Sequence, residues 1–359
     1  MNIAFKILAI NPGSTSTKIA VFEGRKSIFL KSVRHTAGEL AVFPSIADQY
    51  ELRKEAILDA LIQSDIEIDD IVAVVGRGGL VKPIPSGVYE VNEALKRDLR
   101  IGIQGQHASN LGGLIAADIA QTLPNARAFI ADPVVVDELQ DVARITGHPK
   151  MMRRSIFHAL NHKAVARNYA KALEKKYDDL NLIVAHLGGG ISIGAHRRGK
   201  VVDVNNALDG FGPFSPERAG TLPTGALVDL CFSGEMTHDE VRKLINGKGG
   251  LVAHFGTNQV IEVEQMAQNG HANAQSVLEA MAYQTAKAIG ACAVVLKGQI
   301  DGILITGGIA NSKFIVNYIK DMVAFLGPVI VYPGEDEMQA LAENALSVLT
   351  GEMECLEYV

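Results

Sequence analysis

Apolar and polar positions alternate with a period of two over Lys6–Ile10 and Lys18–Phe22, and a Gly/Ser/Thr turn joins the two runs. With Ser27–Val33 they predict a three-stranded meander, because Ile and Val at alternate positions mark half-buried strands. Helical spacing follows over Ile46–Ser64. A buried strand is expected at Ile71–Val75, then a Gly/Pro-rich loop over Gly76–Gly87, a helix over Ser109–Gln121 and a buried strand at Arg127–Ala131. From Asp132 to Pro149 the pattern becomes irregular, which places the domain crossover there. Ser155 reads as the N-cap of a long helix reaching Tyr177. The second half then echoes the first, with strand Asn181–His186, a tight Gly turn, strand Ile191–His196 and strand Val201–Val204. This is an internal duplication of a strand–glycine-turn–strand unit. A helix over His271–Lys297, strands at Gly302–Thr306 and Pro328–Tyr332 and a final helix from Glu337 complete the pattern. Two α/β domains with a ligand cleft between them are expected.

Composition narrows the class. At 359 residues the chain exceeds one ordinary core. With 48% hydrophobic and 21% charged residues it is globular in type, and apolar runs such as Ala291–Leu296 fall far short of a bilayer span. The start, with one Lys and a break at Asn11-Pro12, reads as a first strand and not as a secretory signal. Cys231, Cys292 and Cys355 lie far apart, so no disulfide framework is expected and a reducing cytoplasm is the natural compartment. A net charge of −6 argues against a nucleic-acid surface. Small-molecule chemistry is the remaining class, with no membrane partner.

Three strand-to-turn junctions carry that chemistry: Asn11–Lys18, His186–Gly190 and Thr306–Gly308. Glycine lets backbone N–H groups approach an anion, and hydroxyls at Ser14, Ser16 and Thr17 can donate to the same oxygens. One glycine turn merely reverses the chain; three, two of them in duplicated units, point to a shared nucleotide. The commoner phosphate motifs fail. Gly188, Gly190 and Gly194 mimic a dinucleotide fingerprint, but Ile191–Ile193 alternates as a strand where a helix is required. Gly13–Lys18 lacks the second glycine of a P-loop. Phosphates held between β-hairpins point to the actin, sugar kinase and heat-shock ATPase superfamily.

Several segments resemble the butyrate kinases of the acetate kinase family, which includes branched-chain fatty-acid kinases. They are Asn11–Lys18, Gly76–Gly79, Asp132–Asp137, Phe157–His162, Asp203–Gly210, Phe214–Pro223 and Thr306–Asn311, and the likeness covers essentially the whole chain. It implies an α/β fold of two ribonuclease-H-like domains, a mixed β-sheet with flanking helices present in duplicate, around a nucleotide cleft. Residues 1–133 plus 341–359 would form the acyl-substrate side and 134–340 the nucleotide side, with dimer contacts. By that analogy Arg218, His158 and Asp132 are the catalytic candidates. Gly188, Gly189 and Gly190 would hold phosphates and Gly307 and Gly308 the adenosine. Asn11, Ser14, Ser16, Lys18, His186 and Asn311 complete the nucleotide set, and Glu337 with Asn11 would stand near Mg²⁺. One departure is local. Where acetate kinases carry an arginine three residues before a His-Gly-Gly, this chain has Val74, and Arg77 takes the histidine's place. Arg77 is therefore the candidate for binding the acyl carboxylate.

The implied reaction is ATP-dependent transfer of a phosphoryl group to a short-chain fatty acid of the butyrate or isobutyrate kind, giving an acyl phosphate and ADP. A carboxylate is already ionised at neutral pH, so no strong base is needed. The difficulty is bringing two anions together, and an arginine fork suits that task. The competing reading for Arg218 and Arg77 is a solvated loop arginine. His158 and His162 share a helical face, but no third ligand of a zinc site stands near; His158 is read as a donor to phosphoryl oxygens and His162 as its support. Asp132 either orients an arginine, holds magnesium through water or caps a turn. His186 either bonds the glycine turn or packs. The alternatives to the kinase are a nucleotide-switch ATPase and a phosphatase of the same superfamily. The family implies at least a homodimer.

Overall fold

The computed structural model describes residues 5–64 and 66–359. Two compact units emerge, one formed by residues up to Val136 together with Asp336–Val359, the other by Asp137–Glu335. The pattern placed the crossover within Asp132–Pro149, and the family resemblance placed the divisions at 133/134 and 340/341.

In the first unit, β1 (Lys6–Pro12), β2 (Ser16–Glu23) and β3 (Lys26–Arg34) precede α1 (Ala37–Ala41) and α2 (Tyr50–Ile62). Then come β4 (Ile71–Arg77), β5 (Val88–Glu90), α3 (Glu93–Ile101), α4 (Asn110–Thr122) and β6 (Arg127–Ala131). The second unit holds α5 (Asp141–Arg144), α6 (Ala159–Ala172), β7 (Asn181–Leu187), β8 (Ile191–Arg197) and β9 (Lys200–Val204). Four helices follow, α7 (Thr224–Phe232), α8 (His238–Ile245), α9 (Gly250–Phe255) and α10 (Val260–Gln268). After them run α11 (Ala272–Val295), β10 (Gly302–Gly307), α12 (Lys313–Val323) and β11 (Val329–Pro333). The chain returns to the first unit with α13 (Glu337–Leu349) and β12 (Cys355–Leu356).

The duplication is visible in the sheet orders. The first sheet runs β12-β5-β6-β4-β1-β2-β3 and the second β11-β10-β7-β8-β9. In each, an antiparallel meander (β1-β2-β3, β7-β8-β9) is extended by strands parallel to its first member (β4 and β6, β10 and β11). This is the ribonuclease-H-like arrangement, present twice. Strand β7 is buried over Leu182–Leu187 because both its faces are covered: Ile183 and Ala185 pack in the core with α11 and α12, Leu182 and Val184 in the core with α6. Such a strand reads as a continuous apolar run.

Both ends of α6 differ from expectation. Helix α6 begins at Ala159, with His158 as its N-cap residue, not Ser155, because the Ile156 carbonyl accepts from Ala207 N and holds the preceding segment to the β9 exit. The helix ends at Ala172, short of Tyr177, where Glu174 turns left-handed at φ 53°. In the first unit a close approach fixes the end of β4. A Cβ on Gly76 would lie 2.2 Å from the Gly112 carbonyl oxygen, and one on Gly112 would lie 2.5 Å from that of Arg77. Only hydrogen at both positions lets α4 cross here.

Candidate functional site

In the first unit the ends of β1 and β4 and the start of α13 converge. Asn11 Nδ2 donates to Glu337 Oε2 at 2.5 Å, and Arg77 Nη1 donates to the same oxygen at 3.1 Å. Arg77 and Glu337 form an ion pair largely withdrawn from solvent. Three predicted residues thus share one cluster, while Val74 is core. The Glu337 carboxylate and Asn11 Oδ1 are oxygens of the kind magnesium takes, and here both accept from Arg77 Nη1, at 3.1 Å and 3.4 Å.

The turn after β1 is braced from behind by Arg53, a residue the sequence reading passed over. Its guanidinium, fully buried, donates to the carbonyls of Gly13 (2.9 Å), Ser14 (3.1 Å) and Ser16 (3.2 Å) and to Thr17 Oγ1 (3.1 Å). Drawing the turn's carbonyls inward leaves the Ser14 side exposed. Lys18, the cross-strand partner of Asn11, is exposed as well and outside the Asn11–Arg77–Glu337 cluster. The signal for Arg53 was present: it falls on the buried stripe of α2 with Ile57, Ala60 and Leu61. Asp132 follows the strand residue paired with Arg77 and has φ 38°, an uncommon conformation outside glycine. Its carboxylate accepts from Ser86 Oγ at 2.6 Å and Gly87 N at 2.9 Å, so it clamps that loop.

In the second unit the glycine turns stand side by side, since β7 and β10 are neighbours with His186 opposite Thr306. Gly188 N donates to Gly190 O at 3.0 Å, so this N–H closes the turn instead of facing outward. Arg218 lies directly on Gly190: a Cβ there would come 1.7 Å from Nη1, which donates to Ala207 O at 2.6 Å. Ser215 Oγ donates to Gly189 O at 2.6 Å and anchors the Arg218 loop to the turn. Gly307 has φ 93° and exchanges backbone hydrogen bonds with Gly334, and Asn311 Nδ2 donates to Gly308 O at 2.9 Å.

The histidines gather at the same strand ends. His158 stacks on His186 with ring centroids 3.8 Å apart. Asn161 Oδ1 accepts from His186 Nδ1 at 2.8 Å, and Nε2 lies 3.3 Å from Glu335 Oε1. Glu335, which also borders Gly188, was not foreseen. Ser192 Oγ bonds both His158 Nδ1 (2.8 Å) and His162 Nε2 (2.9 Å). Burial, aided by neighbouring positive charge, holds His162 well below the usual imidazole range. A cavity of about 630 Å³ in this unit lies elsewhere, between α11 (Tyr283, Lys287) and the β8–β9 edge (Ile193, Asp203). No predicted site residue lines it. Among the described residues no helix is long and apolar enough to cross a membrane.

A duplicated ribonuclease-H-like fold, with glycine turns at adjacent parallel strand ends and an arginine seated on one of them, is the architecture of the actin, sugar kinase and heat-shock ATPase superfamily, which holds kinases, switch ATPases and phosphatases. Comparison with known proteins narrows this. The acetokinase family model matches residues 141–346. Butyrate kinase 2 and butyrate kinase 1 of Clostridium acetobutylicum are 55% and 54% identical over 354 residues, 99% of each chain. The Porphyromonas gingivalis acetate kinase structure superposes with a TM-score of 0.78 at 22% identity, covering 96% of this chain and all of that one. The chain belongs to the acetokinase family.

Proposed function

We propose that the chain phosphorylates the carboxylate of a short-chain fatty acid such as butyrate with ATP, reversibly, giving an acyl phosphate and ADP. The observation that carries this reading is the 55% identity to a butyrate kinase across 99% of both chains. In the second unit the turns at Gly188–Gly190 and Gly307-Gly308, with His186 and Asn311, take the nucleotide. Arg218 and His158 stabilise charge on the transferring group, which in phosphoryl transfer is spread over its equatorial oxygens. In the first unit Arg77, already paired with a carboxylate in Glu337, takes the acid's carboxylate, and Asp132 holds the Ser86–Gly87 loop in place. Glu337 and Asn11 would hold Mg²⁺, which when bound neutralises phosphate charge. Asn11, Ser14, Ser16 and Lys18 complete the phosphate contacts.

The protein works in the cytoplasm as a homodimer or higher oligomer. Helix α7 supports the oligomer, because its run Ala226–Phe232 has no buried residue and leaves Phe232 88% exposed. Phe232→Asp should then lower the molar mass measured by light scattering.

The test of activity is hydroxylamine trapping with acids of increasing chain length. An acyl phosphate yields a hydroxamate, and four-carbon acids should exceed acetate, each buried methylene contributing up to about 0.8 kcal/mol. Free phosphate without hydroxamate would indicate a switch ATPase or phosphatase and overturn the proposal. Acetate as the best substrate would overturn the chain-length assignment.

A further inference from the structure

A line of hydrogen-bonded side chains runs from His158 through the second unit's core. His158 Nδ1 meets Ser192 Oγ at 2.8 Å, Ser192 Oγ meets His162 Nε2 at 2.9 Å, and His162 Nδ1 meets His196 Nε2 at 3.2 Å. His196 Nδ1 then meets the Tyr177 hydroxyl at 2.6 Å. His162, Ser192 and His196 are fully buried. We propose that Tyr177, His196, His162 and Ser192 are positioning residues that fix the tautomer of His158, placing its proton on Nε2. The inference rests on the reading of His158 as a donor to the phosphoryl group.

The direction follows from counting protons. Lys163, 1% exposed, sits over the Tyr177 ring with its ammonium bonded to Glu138 Oε2 and Gly199 O, both at 2.7 Å. Burial first, and the Lys163 charge in addition, hold His162 and His196 well below the usual imidazole range and so neutral. Each of those rings then carries one proton, and with the single Ser192 hydroxyl proton also spent within the line, every bond points the same way. In one direction the Tyr177 O–H donates to His196, His196 Nε2–H to His162, His162 Nε2–H to Ser192, and the Ser192 O–H to His158 Nδ1. In the other every bond reverses, and His158 Nδ1–H donates to Ser192. The first direction has a hydroxyl donating to an imidazole nitrogen at both ends. A phenol is a better donor than a neutral imidazole, and an imidazole nitrogen a better acceptor than a phenol oxygen. The short Tyr177–His196 contact matches that pairing. A neutral His158 accepting at Nδ1 must hold its hydrogen on Nε2.

The decisive measurement is ¹⁵N–¹H correlation of the imidazole nitrogens in histidine-labelled protein. In the wild type His158, His162 and His196 should all show the Nε2–H pattern; His158 protonated on Nδ1 would overturn the relay. Tyr177→Phe removes the terminal donor. It should shift the His158 ring resonances and lower kcat by roughly three- to tenfold, with KM for acid and nucleotide unchanged. Ser192→Ala, which cuts the line beside His158, should do the same to a larger degree. His158 resonances unmoved in both folded variants would overturn the relay. Resonances that move while kcat stays at the wild-type value would leave the relay standing and refute His158 as the donor.

Discussion

Gly190→Ala tests the placement of Arg218 more sharply than removal of the arginine itself. The added Cβ would lie 1.7 Å from Arg218 Nη1 and 2.6 Å from Cζ. An ordinary contact is about 3.5 Å, so the guanidinium must retreat by about 1.8 Å from its present 1.7 Å. The retreat breaks the 2.6 Å bond to Ala207 O, a charged hydrogen bond contributing about 1.5–3 kcal/mol. Because the clash falls on the far end of a flexible side chain, folding should survive. Catalysis should not, since a misplacement of about 1 Å can cost about 10²-fold. We expect kcat to fall by roughly 10²–10³, about 3–4 kcal/mol of barrier. The assay is hydroxamate formation at saturating ATP and acid, alongside thermal melting. The double variant Gly190→Ala/Arg218→Ala should be no slower than Arg218→Ala alone, because both act through one group. Losses that multiply, or a Gly190→Ala enzyme keeping a third of wild-type kcat, would refute the assignment.

The brace behind the first turn makes Arg53→Met costly, about 3–5 kcal/mol in urea unfolding, since carbonyls and a buried network lose their partner. Arg53→Lys should recover little, for lack of the fork, and a loss under about 1 kcal/mol for the Met variant would remove Arg53 from this role. Acid should unfold the protein through His162 and His196, whose folded values lie well below the ordinary 6.5, chiefly because of burial. The unfolded chain takes up these protons near 6.5 and the folded chain does not. Stability is thus present above that pH and lost below it, by up to about 1.4 kcal/mol per pH unit for each group. His196→Gln should flatten the fall in urea midpoint with pH, and a midpoint already flat in the wild type would contradict the burial argument. Arg77→Gln should raise KM for the acid while leaving nucleotide affinity unchanged by calorimetry; an unchanged acid KM would place the carboxylate elsewhere.

Period-two runs and glycine turns made both meanders and their duplication legible, because strand alternation and chain reversal are local properties. The same holds for α11 and for α13 from Glu337, whose apolar spacing is uninterrupted. The four helices α7–α10 were not read, since each is short and buries few residues; α8 is amphipathic but buries only Val241. Ser155 looked like a cap, but its segment is held at Ile156 by Ala207, a partner distant in the chain that no local pattern encodes. The candidate residues were legible as types: an arginine in a Pro/Gly-rich loop, histidines at strand and helix ends, small residues at turns. Their convergence was not. Arg218 meets Gly190, Glu335 meets His186 and Arg53 meets the Gly13–Thr17 turn through sheet order and helix crossing. Sequence by itself therefore determined the repeated strand units and the chemistry available at their ends. Tertiary structure decided which side chains face one another, because strand neighbours in these sheets are set by crossovers spanning scores of residues.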